Sequence, residues 1–472
     1  MRLLDALDGI LGPGGLATGE ELAAALEDPI TRTRGTAVAL AKPRSTDEVS
    51  AVVRACAEAG ARIVPRGGGS GFVAGAIPRQ DGENVILSLA RMNRIRSVDT
   101  ADETMTVEAG VVLAAAREAA AEHDLLLPVA HGGEGSAQIG GTIATNAGGH
   151  NVLKYGMTRA HVLGLEAVLA DGTVWDGLRP LRKDNAGFDL KQLFIGTEGT
   201  LGIVTAATLR LSPAPRADVT ALAAVTDPAA ALALFQALRR RLGDLIAAFE
   251  LMPRAALALH FERHPEARDP FDTPHGWVVL VELASPAEGL DLDSLVEGAL
   301  GAALEAQTVR DVIIARSGRE RDALWSLREG LAEAQAVSPR VLKSDTAVPV
   351  SRTPEFIAAA TRAVAEVIPG ATPLPFGHIG DGNIHFNVLA PEAMTTADFL
   401  AERPRLISAI DAATIALGGT IAAEHGIGSV KRTALAALRS HEDQALARAL
   451  KHALDPAGRL NPGKVLPDHP AA

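Results

Sequence analysis

Three glycine-rich segments before residue 205 constrain the fold of this chain more than anything else in it. The first, Pro65-Arg66-Gly67-Gly68-Gly69-Ser70-Gly71, follows a short apolar run and places four glycines in five residues. The second spans 135–149 and carries Gly135, Ser136, Gly140, Gly141, Thr142, Thr145, Asn146, Gly148 and Gly149. The third holds Gly196, Glu198, Gly199, Gly202 and Ile203. Backbone without Cβ atoms lets successive N–H groups converge on an anion, so the first segment reads as a pyrophosphate cradle or as a flexible surface loop. The second suits a backbone pressed against an extended polar ligand, with Thr142, Thr145 and Asn146 supplying side-chain hydrogen bonds. The first lacks the G-x-G-x-x-G spacing and the acidic ribose contact of a nicotinamide-binding unit. Three such segments so close together argue against random loops.

The surrounding pattern alternates helix and strand. Residues 1–36 read as helical and polar. Ser45 and Glu48 form a capping box before a helix over 49–60, and 61–64 is a short strand ending at Pro65. Strands follow at 85–89, 105–108, 162–169 and 202–211, with a helix at 113–123. Pro213-Ala-Pro-Arg216 marks the first clear boundary. Beyond it, helices at 228–242, 290–306, 322–336 and 354–367 and a strand at 277–283 suggest helices on an antiparallel sheet. From 422 the chain reads as helical again. At 472 residues the chain is too long for one ordinary core.

Composition excludes several classes. A net charge of −12 with no basic run argues against a nucleic-acid surface. One cysteine, Cys56, rules out a disulfide framework, a Cys-rich zinc site and a cysteine-ligated iron–sulfur cluster within the chain. Cys56 lies in an amphipathic run and is expected in the core. No stretch reaches about 18 apolar residues, so no membrane span is expected. The N-terminus lacks the layout of a secretory signal, and a soluble cytoplasmic protein is expected.

The chemistry concentrates late in the chain. Phe376-Gly-His378-Ile-Gly-Asp-Gly-Asn-Ile-His385-Phe-Asn387 sets two histidines seven residues apart, and Glu424-His425 follows. His378, His385 and Glu424 make two imidazoles and a carboxylate, a ligand set for a divalent metal with positions left open. Residues 384–388 alternate like a strand. Ile384, Phe386 and Val388 then share one face and His385 and Asn387 the other, while the turn at 380–383 can swing His378 back towards His385. In the helix 322–336, Leu324, Leu327 and Leu331 form the buried stripe and Arg328 lies beside it.

The segments 139–149, Tyr155-Gly156 and 184–203 resemble the flavin-binding domain of the vanillyl-alcohol-oxidase and p-cresol-methylhydroxylase superfamily, over nearly the whole chain. The resemblance implies an α+β protein. A two-part FAD-binding domain over 37–214 follows an N-terminal helical segment at 1–36. An α+β substrate (cap) domain spans 215–421, and a short helical C-terminal segment, 422–472, packs back near the flavin. It further implies FAD held by Pro65, Arg66, Gly67, Gly68, Gly69, Ser70, Gly71, by the residues of 135–149 named above, by Glu198, Gly199, Gly202 and Ile203, and by Asn461. Some members link the flavin covalently through a histidine in the first loop. This chain has Ser70 and no histidine nearby, so non-covalent FAD is expected. His150 departs from an apolar residue common in relatives and has no assigned role.

Within the superfamily the histidine constellation resembles the D-2-hydroxy-acid dehydrogenases, and among them the branch acting on D-2-hydroxyglutarate. That implies Zn²⁺ or a similar ion on His378, His385 and Glu424, Asn387 beside a substrate carboxylate, and His425 as base. Arg328 and Lys343 would neutralise the distal carboxylate of a C5 diacid, whereas Ala332 stands where those enzymes carry a threonine. The expected reaction is oxidation of D-2-hydroxyglutarate, and of D-malate or related diacids, with electrons passing to a partner such as electron-transfer flavoprotein. D-lactate oxidation is the narrower alternative, and an inactive flavin-binding protein the alternative of another class. A homodimer is left open.

Overall fold

A computed structural model describes residues 3–336 and 338–466. The chain divides into two compact units. Residues 1–149, 156–214 and 424–472 make the first, and 150–155 and 215–423 make the second.

The first unit begins with α1 (Leu3–Leu11), β1 (Leu16–Ala17) and α2 (Glu20–Ala25). The stretch 1–36 is therefore not helical throughout: β1 pairs antiparallel with β2 (Ala39–Ala41). Next comes α3 (Thr46–Ala59), which starts where the capping box predicts. Ser45 Oγ accepts the Glu48 N–H at 3.2 Å, and the Glu48 carboxylate returns to the Arg44 N–H at 2.9 Å. Gly60, at φ 74°, ends the helix in the left-handed region. β3 (Arg62–Arg66) and β2 both run parallel to β4 (Asn84–Ser88), as a helical crossover demands. Cys56 is fully buried among the apolar residues beneath this sheet.

A five-stranded antiparallel sheet completes that unit. It holds β5 (Ile95–Asp99), β6 (Thr104–Glu108), β7 (Val162–Val168), β8 (Val174–Gly177) and β9 (Ile203–Arg210), in the order β5-β6-β9-β7-β8. The returning segment adds helices Arg432–Leu438 and His441–Leu454.

The second unit is an eight-stranded antiparallel sheet with helices against it. Its strands are β10 (Ala217–Val225), β11 (Ile246–Pro253), β12 (Trp277–Ser285), β13 (Asp311–Ile314), β14 (Val341–Leu342), β15 (Thr346–Ala347), β16 (Thr372–His378) and β17 (Asn383–Leu389). The order is β13-β10-β12-β11-β16-β17-β14, with β15 also on β17. Among the helices against this sheet is α4, Gly318–Ala336. Two helical details depart from sequence expectation. A long helix over Thr396–Ala416 carries Pro404 inside it, and no helix forms between 417 and 431.

β16 and β17 form the hairpin that matters most. Ile384, Phe386 and Val388 are fully buried, each contributing roughly 1.5–3 kcal/mol of apolar burial. A slip of one residue would drive His385 and Asn387 into that core, so the register is fixed by packing. No described helix is long and apolar enough to cross a membrane.

Candidate functional site

In the first unit the three glycine segments close on one another. A Cβ on Gly68 would overlap the Ser136 carbonyl oxygen, and one on Gly67 would stand 3.5 Å from the Gly141 Cα. Gly199 adopts φ +72° and comes so close that a Cβ would meet Pro65 Cγ at 2.9 Å. Around Gly71 and Gly135, by contrast, a Cβ would have no neighbour within 4 Å. His131 Nε2, Gln138 Oε1 and Asn461 Oδ1 are buried in this unit without a hydrogen-bond partner among the described residues. Buried polar atoms left unsatisfied are costly, and open backbone lined with such atoms fits a polar ligand such as a flavin dinucleotide.

The second glycine segment differs from its sequence reading. Residues Ile139–Thr145, given no secondary structure from the sequence, form a short helix burying Ile139, Gly140, Thr142 and Ile143 at helical spacing. Thr142 consequently turns inward and lines a small cavity with Leu127, Ile143 and His161. Thr145 Oγ1 donates back to the Gly141 carbonyl at 3.0 Å. Asn146 caps the helix in the left-handed region and accepts the Arg159 N–H at 2.8 Å. Thr145 and Asn146 thus spend their side-chain hydrogen bonds largely within the protein, whereas Thr142 Oγ1 is buried without a hydrogen-bond partner among the described residues. Gly148 and Gly149 are buried, and Gly202 and Ile203 open β9, where Ile203 joins the core. Arg66 packs its guanidinium beside Gly69, and Ser70 faces Gly133.

Glu198 is not aimed at the glycine cradle either. Its Oε1 accepts the Ile427 N–H at 2.7 Å and its Oε2 the Gly428 N–H at 2.8 Å. Burial raises its pKa above the usual carboxylate range, while the two backbone bonds and Lys464 act in the opposite sense. Asn461 Nδ2 donates to the carbonyls of Gly75 at 3.0 Å and Glu198 at 2.6 Å. Burial, aided by Arg432, brings the neighbouring Lys464 down to about 8. The clamp fixes the segment that carries Glu424 and His425. The His425 ring stacks on Phe72 with centroids 4.5 Å apart.

In the second unit the hairpin register sets Phe376 opposite His385. His378, two residues on, shares that face, and the two imidazole centroids lie 5.7 Å apart. β11 supplies what the sequence reading missed. Glu250 pairs with His378 across the sheet. Its Oε1 meets His378 Nδ1 at 2.6 Å, and its Oε2 accepts Arg328 Nε at 2.7 Å. Although burial alone would raise its pKa, the adjoining His378 and Arg328 hold this carboxylate well below its usual range. A carboxylate only accepts, so Nδ1 carries the proton and Nε2 keeps the lone pair that a metal requires. His385 Nδ1 similarly has Asp345 4.0 Å away. Carboxylate-backed imidazoles are the usual surroundings of metal-binding histidines, so the donor set fits a divalent ion. Burial also pushes the nearby Asp381 up to about 6.

Arg328, on α4, therefore serves Glu250 before any substrate, and it also lies over the Phe376 ring at 5.0 Å. Asn387 accepts the Ser344 N–H at 2.9 Å and donates to Gln335 Oε1 at 2.7 Å. Lys343 follows Leu342, the partner of Val388, which brings it beside Asn387. Burial and Arg403 lower the Lys343 pKa. Ala332 is exposed one turn beyond Arg328. His150 lies 5.2 Å from the Trp325 ring. The signal for Glu250 was present in the sequence: a single charge inside the apolar run Ile246–Pro253, where a buried charge must be paired.

Residues 37–177 match the FAD binding domain family, and residues 214–465 match the family of FAD linked oxidases, C-terminal domain. The fold is similar to p-cresol methylhydroxylase with substrate bound, at a TM-score of 0.77 and 17% identity, covering 99% of this chain and 97% of that one. It is similar also to 4-ethylphenol oxidase from Gulosibacter chungangensis, at a TM-score of 0.75 and 20% identity, covering 98% and 96%. Fold and family matches together define an FAD-dependent oxidoreductase of the vanillyl-alcohol oxidase type acting on a CH–OH donor. In sequence the chain is 40% identical to a D-2-hydroxyglutarate dehydrogenase of Xanthomonas citri pv. viticola over 92% of this chain and 90% of that protein. It is 38% identical to the mitochondrial D-2-hydroxyglutarate dehydrogenase of Bos taurus over 99% and 84%. The chain belongs to the D-2-hydroxyglutarate dehydrogenase family.

Proposed function

We propose that this protein oxidises D-2-hydroxyglutarate to 2-oxoglutarate, with D-malate as a shorter substrate, and passes the electrons to a partner such as electron-transfer flavoprotein. The observation that carries the reading is the imidazole pair of the hairpin, backed by Glu250, with Arg328 drawn to the same carboxylate. This arrangement offers a metal-ready face and, close by, cations suited to a second carboxylate. The relatives named as D-2-hydroxyglutarate dehydrogenases support the same substrate.

The glycine cradle of the first unit would hold FAD, and His378, His385 and Glu424 would hold Zn²⁺ or a similar ion. When bound, FAD would supply an acceptor for the C2 hydride and the cation would acidify the C2 hydroxyl. His425 takes that proton, its ring held by Phe72 and its backbone by the Glu198 clamp. Arg328 and Lys343 neutralise the distal carboxylate, and their charge makes a monoacid such as D-lactate the poorer substrate. Asn387, already anchored by Ser344, lies beside a substrate carboxylate.

The test is an anaerobic titration of the flavin-loaded protein, followed by loss of flavin colour, with and without chelator. Bleaching by D-2-hydroxyglutarate that slows after chelation is expected. A flavin that stays oxidised, or one that D-lactate reduces with the higher kcat/KM, would overturn the reading.

A further inference from the structure

Gln335 is buried, with 1% of its surface exposed, and its Nε2 has no hydrogen-bond partner among the described residues. The orientation of its amide follows from a chain of constraints. Ser344 presents a backbone N–H to Asn387, so the atom receiving it must be Asn387 Oδ1. Asn387 therefore offers Nδ2 to Gln335, and the Gln335 atom that meets it at 2.7 Å must be Oε1. What remains on Gln335 is a donor. A flip cannot satisfy it, because turning either amide sets donor against donor.

The surroundings indicate what such a donor is for. On α4, Leu324, Arg328, Leu331 and Gln335 follow one another at helical spacing along the buried face. Arg328 reaches β11 through Glu250, and Gln335, two turns further on, reaches β17 through Asn387. Asn387 shares its strand face with His385, two residues and about 6.6 Å away along the strand. Lys343 approaches the same asparagine from β14. An unsatisfied amide donor beside a lysine and a second amide is complementary to an oxyanion, and an apolar or cationic group would leave it unpaired.

We infer that Gln335 is a further specificity-determining residue, donating its Nε2 hydrogen bond to the distal carboxylate of the dicarboxylic substrate. The inference rests on the diacid reading above and adds to it a neutral donor beside Arg328 and Lys343. The donor distinguishes a carboxylate-ended chain from a methyl-ended one without adding charge. A site that hydrogen-bonds one end of its substrate penalises analogues lacking that end, because the protein's buried donor is then left unpaired.

The experiment compares wild type with Q335L and Q335E, each in the flavin-loaded, metal-replete protein. KM and kcat are measured for D-2-hydroxyglutarate and D-lactate, and the binding of 2-oxoglutarate is measured by calorimetry. Q335L should raise KM for the diacid about tenfold and by far more than KM for D-lactate, with kcat changed far less. Calorimetry should show the same weakening for 2-oxoglutarate. Q335E keeps an acceptor for Asn387, so it preserves the contact across to β17, and it should weaken the diacid more than Q335L does. Equal diacid KM in wild type and Q335L, or equal losses on both substrates, would overturn the inference. So would a Q335E protein that binds 2-oxoglutarate as well as wild type does. Failure of the diacid reading itself is visible without any variant, as a wild-type preference for D-lactate.

Discussion

Replacing Glu198 with glutamine separates the holding of the His425 segment from the holding of the fold. The carboxylate receives two backbone N–H groups, from Ile427 at 2.7 Å and Gly428 at 2.8 Å. Glutamine retains one acceptor and turns an NH₂ towards the other amide, so one bond to a charged group is lost and a donor faces a donor. Such a bond nets about 1.5–3 kcal/mol. Burial acts against it, since it raises the Glu198 pKa. An acid whose folded value lies above its unfolded one takes up a proton more readily when folded. It therefore costs stability at neutral pH, and that cost disappears as pH falls through the folded value. E198Q removes the cost and one bond together, so the melting temperature at pH 7 should shift by only a few degrees. Catalysis gains no such offset. A loss of about 2 kcal/mol in the positioning of His425 corresponds to roughly a 30-fold fall in kcat. The assay is steady-state oxidation of D-2-hydroxyglutarate with a dye acceptor, beside thermal unfolding at pH 7 and pH 5. Wild type should gain stability relative to E198Q on going to pH 5. Unchanged kcat in E198Q would refute the positioning role, and a steep loss of stability with proportionate loss of activity would reduce the clamp to a structural one.

Three further outcomes follow from the second unit. E250Q leaves His378 without its charged partner and should weaken metal retention 10–100-fold, read as metal content after dialysis against graded chelator. E250A should cost about 3–5 kcal/mol of stability, because Arg328 loses its buried counter-charge; unaltered metal content in E250Q would count against the metal site. K343A should raise KM for D-2-hydroxyglutarate far more than for D-lactate, and equal effects on both would remove Lys343 from the distal-carboxylate site.

What the sequence made legible was whatever depended on local pattern. The Ser45 cap, the helix Pro228–Leu242 and the alternation around His385 are local, and the structure follows each closely. The contrast between 1–36 and the observed β1 shows the limit, since Leu16–Ala17 becomes a strand only because Ala39–Ala41 offers an open edge. The same limit hid Thr142. Its spacing from Ile139 and Ile143 fits a helix as well as a loop, and the helix turned its hydroxyl inward. Glu250 and Gln335 were missed for a related reason. Each gains meaning from a partner far along the chain, Glu250 from His378 and Gln335 from Asn387.

The polar anchors of α4 explain why this helix can present Arg328 at all. Its apolar residues, Leu324, Leu327 and Leu331, pack on a non-directional surface, and burial of that kind tolerates a few degrees of roll. Hydrogen bonds do not. Glu250 on β11 takes Arg328, Asn387 on β17 takes Gln335, and Glu282 on β12 takes Trp325 Nε1 at 2.6 Å. Leu280 pairs with Glu250, so Glu282, two residues further, shares its face of the sheet. Three contacts spread along the helix fix both its rotation and its register. They are expensive: burial raises the Glu282 pKa, and buried ion pairs often stabilise less than apolar packing of the same volume. An all-leucine face would hold α4 against the sheet at least as firmly, but it could leave the guanidinium an ångström from where a carboxylate must be met, and such a displacement is enough to cost about a hundredfold in rate.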